Sequence, residues 1–374
     1  MNNPLQSQQI SFFHTYISPS AIQRVTSVLQ SGWVNEGELV KEFEAELAVR
    51  LGVSNPVTVN SGTAALHLAL AVCGVGPSDE VIIPAQTFVA TGLVVLMQQA
   101  TPVFADIDPK TGNLCTSSVA AKISPRTRAI IPVHWGGYPC DLDEINQMAR
   151  EHNLTVIEDA AHALGATYKG NPIGSISRFT AFSFQAIKHL TTGDGGMLCC
   201  PDEEDKYEAV KRRWFGIDRT ATKSSMLGAR GYDIQSLGYK YHMNNIAAAI
   251  GLGNLEDYPA RLSRRREIAT RYRAGLQNVA GLELLELRED RQHAWWLFTI
   301  LVERREDFAR KLASHGIPTS VVDLRIDRNS VFGGLRDDLP GQTEFNERQI
   351  AIPIHDGLYD EQVESVITAI HSGW

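Results

Sequence analysis

The first two-thirds of the chain alternate short apolar runs with longer segments of mixed polarity. Runs rich in β-branched and aliphatic residues fall at 57–60, 81–84, 103–108, 129–134, 155–159, 179–184 and 196–200. Short runs of this kind predict strands covered on both faces. Between most of them, the segments 63–73, 87–98, 116–122 and 141–152 read as helices. The alternation predicts an α/β fold, with a mostly parallel central sheet flanked by helices. In such sheets a ligand binds beyond the carboxyl ends of the strands. The residues just after each run are therefore the place to look for chemistry.

After about residue 250 the texture changes. The segment 255–277 is highly charged, contains Arg264-Arg265-Arg266, and predicts one helix bridging two domains with a solvated basic face. Beyond it, 282–304 and 316–326 read as strands and 306–315 and 360–371 as helices, while Gly333-Gly334 and Pro340-Gly341 mark loops. This is the pattern of a smaller α+β domain. The expected division is a large domain over 1–250, including an N-terminal arm, and a small C-terminal domain over 251–374.

Composition narrows the function. The chain has 374 residues, 43% of them hydrophobic and 21% charged, enough for a large core without staples. Its formal net charge is −8, which argues against nucleic acid or an anionic membrane as the main partner. A local basic pocket for a small anion remains compatible with it. The five cysteines, Cys73, Cys115, Cys140, Cys199 and Cys200, form no CxxC pair and suit free thiols in a reducing compartment. Residues 1–10 do not read as a signal peptide, and the apolar stretches 64–72 and 92–97 are too short to span a bilayer. The expected location is cytoplasmic. No His, Cys and Asp grouping has metal-ligand spacing, so no metal is expected.

Three places could carry chemistry. Ser61-Gly62-Thr63 follows the first run and opens a helix. A helix N-terminus offers free N–H groups and a positive dipole end to a phosphate, though the same residues suit a plain N-cap. Glu158-Asp159-Ala160-Ala161-His162 ends another strand, where a carboxylate could hold a cationic heterocycle or cap the next turn. Lys188 lies between apolar segments and is followed by Gly193-Asp194-Gly195-Gly196. A lysine beside an apolar site tends to a lowered pKa and can form a Schiff base; a snorkelling lysine at a strand end is the plainer alternative. Taken together, a phosphate nest, a carboxylate and a lysine ask for one cofactor, pyridoxal 5′-phosphate (PLP), whose ring becomes an electron sink when its nitrogen stays protonated. Phe88, in the loop after the second run, could stack on that ring or be an ordinary core residue.

On these residues the chain resembles a known family. The segments are Gly32-Trp33-Val34, Asn60-Ser61-Gly62-Thr63-Ala64-Ala65-Leu66, Pro84-Ala85-Gln86-Thr87-Phe88-Val89-Ala90-Thr91, Asp106-Ile107-Asp108, Glu158-Asp159-Ala160-Ala161-His162, Ser183-Phe184-Gln185-Ala186-Ile187-Lys188 and Gly238-Tyr239-Lys240-Tyr241-His242-Met243. Over about residues 10–260, and more loosely beyond, it is similar to the DegT/DnrJ/EryC1/StrS sugar aminotransferases, which are fold-type I PLP enzymes. The resemblance implies that Lys188 forms the imine with PLP, Asp159 pairs with the pyridine nitrogen, and Phe88 stacks on the ring. It implies that Gly62, Thr63 and Ser183 hold the phosphate and that His162 lies near the phenolic oxygen. It further implies a homodimer with shared active sites, in which Lys240 crosses to the neighbour's phosphate.

The implied reaction moves an amino group from an amino acid, L-glutamate by analogy, to the keto group of a nucleotide-linked deoxysugar. That releases 2-oxoglutarate, with pyridoxamine 5′-phosphate appearing in the cycle. Relatives that carry histidine in place of the lysine are dehydratases; Lys188 is present, with His189 beside it, and favours transamination. The alternatives are a PLP-dependent sugar dehydratase or lyase, and a non-catalytic ligand-sensing relative. The segment 318–328 departs from the Tyr-Pro-x-Pro-x-His pattern common in relatives. Within it Arg325 and Arg328 could reach a substrate diphosphate, or form salt bridges with Asp323 and Asp327; His189 is the remaining candidate for substrate contact.

Overall fold

Seven strands form the central sheet: β1 (Pro56–Val59), β2 (Glu80–Pro84), β3 (Thr101–Ala105), β4 (Thr127–Ile130), β5 (Thr155–Asp159), β6 (Phe179–Ser183) and β7 (Gly196–Cys199). Their spatial order is β1-β7-β6-β5-β4-β2-β3. Only β7 runs antiparallel, between β1 and β6; the remaining neighbours pair in parallel. The structure, a computed structural model, describes residues 9–221, 223, 224 and 226–374. Every strand expected in the first two-thirds of the chain is present, as are the four helices, at Gly62–Val72, Ala90–Met97, Thr116–Lys122 and Leu142–His152. Their burial follows from the covered sheet. Val81, Ile82 and Ile83 are all inaccessible to solvent, two facing one apolar core and one the other. Among the described residues no helix is long and apolar enough to cross a membrane.

The C-terminal third departs from expectation in four places. The charged segment is two helices, Asn245–Glu256 and Tyr258–Gly275, which meet at Asp257; Pro259 lies in the first turn of the second, where its missing N–H breaks no helical bond. Its basic face is not simply solvated. Arg265 is buried and bonds the Ile354 carbonyl and Asp356, and Arg266 donates to the Gly165 carbonyl. The segment 316–326 forms no strand beyond a single bridge, Ser320 to Ala351. Pro340-Gly341 opens the helix Pro340–Arg348 instead of a loop. There the backbone N–H of Gly341 caps the Asp106 carboxylate, and a side chain at that position would collide with the Ile107 carbonyl.

A three-stranded antiparallel sheet, Leu282–Leu284, Phe298–Val302 and Gln349–Ile352, has its own core with Ile268, Tyr272, Phe308 and Val366. Ile10 from the N-terminal arm packs into the same core. The boundary expected at 250 falls inside the helix Asn245–Glu256, whose Ala248, Leu252 and Leu255 belong to the large core. The chain also returns: Ile326, Phe332 and Leu339 pack with Val94 and Val95 of the large body. That return carries the segment 320–323 to the carboxyl ends of the central strands.

Candidate active site

Four loops converge beyond those ends. Ser61-Gly62-Thr63 follows β1, Thr87-Phe88 follows β2, Asp159 closes β5 and Ser183 closes β6. All of them line one cavity of about 390 Å³, together with Lys188.

The anion cradle comes from the helix Gly62–Val72. The Ser61 hydroxyl accepts from the Ala64 N–H at 3.0 Å, so this serine is engaged as the N-cap. The first-turn N–H groups of Gly62 and Thr63 have no intrahelical acceptor and stand with the Thr63 and Ser183 hydroxyls at the cavity. Gly62 permits this closeness: a Cβ there would lie 2.9 Å from Cβ of Ser183 and 3.4 Å from the Phe182 carbonyl.

Asp159 is 6% exposed. Its Oδ2 accepts from the Thr91 hydroxyl at 2.7 Å, and its Oδ1 accepts from the Ala161 N–H at 3.2 Å. Burial raises its pKa, while these two hydrogen bonds and the charge of Lys188 oppose the rise. Among the described residues no basic side chain forms an ion pair with it. A buried carboxylate that lacks a cation suits a protonated ring nitrogen. Its neighbour Glu158 faces away, accepting from the Ser177 N–H, the Thr180 hydroxyl and His134 Nε2 at 2.8 Å. His134 Nδ1 accepts from the Cys140 N–H, which puts the ring proton on Nε2. Of the two adjacent acids, one braces the strand and the other serves the cavity.

Lys188 is no surface lysine. Its Nζ lies 3.6 Å from the centre of the Trp296 ring, a cation–π contact. Burial pushes its pKa down to about 8, against the pull of Asp323 and Asp159. The Trp296 indole N–H donates to the Ile187 carbonyl at 3.1 Å, which locks the ring beside the lysine loop. His162 stacks on the same indole, with ring centres 3.8 Å apart and planes at 16°. Burial holds His162 well below the ordinary imidazole pKa, hence neutral, and its Nδ1 is buried without a partner. His162 itself lines the cavity, where a neutral imidazole suits a place beside a phenolic oxygen. Phe88 lines the cavity and is 60% exposed, so it is not an ordinary core phenylalanine.

The residues thus fit PLP: amine, buried acid, anion cradle, neutral imidazole and aromatic ring share one cavity. Other expected site residues lie elsewhere. His189 is buried and its Nε2 bonds the Ala294 carbonyl at 2.8 Å, which turns it away from the cavity. Arg325 is buried in a two-pronged pair with Asp327, at 2.7 and 2.6 Å, and also bonds Thr343 and the Arg336 carbonyl. Its donors are engaged in holding the fold, and its acidic partner is Asp327 rather than Asp323. Arg328 is exposed and away from the cavity. Lys240 is exposed, with Nζ 4.1 Å from the centre of the Trp214 ring, and does not line this chain's cavity. Its segment is pinned beside β1, since Asn60 donates to the Lys240 carbonyl and Val59 bridges His242.

Sequence reasoning missed Trp296 and Asp323 as wall residues. Trp296 falls in the segment 282–304, which reads in sequence only as strand. Asp323 stood out only as a partner for the nearby arginines.

The chain matches the model of the DegT/DnrJ/EryC1/StrS aminotransferase family over residues 15–371. It is 40% identical over 368 residues to the spore coat polysaccharide biosynthesis protein SpsC of Bacillus subtilis, covering 95% of this chain and 94% of that protein. It is 35% identical over 354 residues to the GDP-perosamine synthase of Caulobacter vibrioides, covering 92% and 93%. Its fold matches that of the sugar aminotransferase CalS13 from Micromonospora echinospora with a TM-score of 0.93 and 38% identity, covering 98% of this chain and 100% of that one. The chain therefore belongs to the DegT/DnrJ/EryC1/StrS aminotransferase family and is a PLP-dependent sugar aminotransferase of fold-type I.

Proposed function

We propose that the enzyme transfers an amino group from L-glutamate to the keto carbon of a nucleotide-linked deoxysugar, and that Lys188 is its catalytic amine. The observation that carries this reading is the meeting of Lys188, from the loop after β6, and Asp159, from the end of β5, on one cavity beside the N-terminus of the helix Gly62–Val72. The similarity to an enzyme named for making GDP-perosamine supports a nucleotide-linked sugar as acceptor.

When bound, PLP supplies a carbonyl carbon for amines and a ring that accepts electrons. The cradle of Gly62, Thr63 and Ser183 would take its phosphate, and Asp159 would hold the ring nitrogen in its protonated form. Phe88 would stack on the ring and His162 would lie near its phenolic oxygen. Lys188 has a second task. With its pKa near 8, a useful fraction of Nζ is neutral close to neutral pH, so it can take a proton from the donor's α-carbon and later return one to the sugar carbon. Lys240 we assign to the phosphate of a second copy of the chain, which makes the working unit at least a dimer.

The test presents the PLP-loaded enzyme with L-glutamate and a panel of nucleotide-linked 3-keto and 4-keto deoxysugars. Mass spectrometry is expected to show 2-oxoglutarate together with one aminated nucleotide sugar. Production of 2-oxoglutarate with no aminated sugar from any acceptor would overturn the acceptor assignment. Normal turnover by Lys188→Ala would overturn the site.

A further inference from the structure

Asp323 faces Lys188 across the cavity, and nothing in the cofactor's requirements uses it. Its backbone is held unusually firmly. The Asp323 carbonyl accepts from Gln86 Nε2 at 3.0 Å and from Gln349 Nε2 at 3.2 Å, and Gln86 Oε1 in turn accepts from Gln342 Nε2 at 2.8 Å. All three glutamines are fully buried. They come from the loop after β2, from the helix Pro340–Arg348 and from the small sheet, so three parts of the fold converge to place one residue. The carboxylate itself lines the cavity, and among the described residues no donor bonds its oxygens. Burial pushes its pKa up to about 6, with Lys188 opposing, so at neutral pH it is mostly ionised. A half-buried, ionised carboxylate on a rigid mount, with no protein donor on its oxygens, stands open to a donor that a ligand brings.

The charge of the cavity selects among ligands. Its acidic lining is Asp159, Asp194 and Asp323; against them stand only Lys188, whose charge burial weakens, and the neutral His162, and among the described residues no arginine lines it. A second carboxylate from a dicarboxylate amino donor is a poor match for Asp323. A neutral polyol is a good one, because a hydroxyl donates a strong hydrogen bond to a carboxylate without adding charge. Asp323 also feels the charge of Lys188 directly, and Lys188 must reach the reacting carbon. Groups near Asp323 are therefore the neighbours of that carbon.

We propose that Asp323 is a specificity residue that accepts a hydrogen bond from the sugar hydroxyl next to the keto carbon. This deepens the proposed function and rests on its keto-sugar acceptor.

The two half-reactions separate the possibilities. In the first, PLP-loaded wild type, Asp323→Asn and Asp323→Ala react with L-glutamate in single turnover. In the second, the aminated enzyme reacts with the keto-sugar nucleotide that wild type uses best in the panel, and with its analogue deoxygenated at the carbon beside the keto group. We expect Asp323→Ala to raise KM for the hydroxylated sugar about 10- to 100-fold and to change the rate with glutamate far less when both are read at about pH 9, where Lys188 is neutral with or without the Asp323 charge beside it. With the deoxygenated analogue, wild type and variant are expected to coincide. Asp323→Asn keeps the shape and one acceptor oxygen, so it should recover part of the loss, and it serves as the test if the alanine variant does not fold. Equal losses in both half-reactions would overturn the proposal and make Asp323 a tuner of Lys188. Equal penalties for the two sugars would overturn it as well. A wild type that reacts with glutamate but with no keto sugar overturns the acceptor assignment itself, and is told apart because no variant is needed to see it.

Discussion

The Thr91 hydroxyl donates to the Asp159 carboxylate at 2.7 Å and lies the same distance from the hydroxyl of Thr87. A hydroxyl has one proton, so Thr91 gives its proton to Asp159 and accepts that of Thr87. This short relay orients Asp159 and holds its charge against burial. Thr91→Val keeps the shape and removes the donor. Its affinity for PLP should fall by roughly 10- to 100-fold, the worth of about 1.5–3 kcal/mol for a hydrogen bond to a charged group. Thr91→Ser should retain most of it. Titrating the apoenzyme with PLP by absorbance checks this, and an unchanged valine variant would deny the relay any role.

The lowered pKa of Lys188 has a direct consequence for cofactor capture. Only the neutral amine attacks a carbonyl, and burial disfavours the charged form. The amine is protonated below its pKa of about 8 and neutral above it. The rate at which apoenzyme captures PLP should therefore climb as pH rises towards 8 and level off by about 9. Stopped-flow absorbance across that range reads the inflection. A rate still climbing beyond pH 10 would mean that the cavity leaves this lysine as wet as a surface one.

Gly62 is needed for want of a side chain. Its absent Cβ would sit 2.9 Å from Cβ of Ser183 and 3.3 Å from that residue's Cα, so Gly62→Ala must push the ends of β1 and β6 apart. Both ends carry the anion cradle. The expected result is a folded protein whose PLP affinity drops by about tenfold or more, in keeping with about 1–3 kcal/mol for overpacking. Wild-type affinity in that variant would show that the cradle tolerates the shift.

The sequence made the central sheet legible because each strand is a separate apolar run bracketed by helices, and a covered parallel sheet needs little more than that. Lys188 and Asp159 were legible because a charged residue just after an apolar run has few structural reasons to be there. The C-terminal third was harder to read for equally physical reasons. Arg265 looks solvated in sequence, yet its long side chain reaches the Ile354 carbonyl and Asp356, which lie far along the chain. Gly341 looks like a turn, yet it starts a helix because Asp106, again distant in sequence, receives its N–H. Trp296 enters the site only through the pairing of the small sheet and the stacking of His162. No local pattern encodes such contacts.

Arg325 shows how a sequence cue and a structure can be told apart by experiment. An arginine in a divergent segment of a sugar aminotransferase invites a role in gripping the acceptor. In the fold it is buried against Asp327, which is itself inaccessible to solvent and also accepts the Arg336 N–H at 3.0 Å. Arg325→Ala leaves the Asp327 charge buried with one neutral donor, a loss of about 3–5 kcal/mol. The melting temperature should fall by several degrees. Removing the acid as well, in Arg325→Ala with Asp327→Ala, takes away the stranded charge, so the double variant should be more stable than the single one despite the larger deletion. A diphosphate ligand predicts the opposite pattern. It would leave the melting temperature nearly unchanged in the single variant and raise KM for the nucleotide sugar equally in both. Thermal melts and KM measured on the same two proteins decide between them.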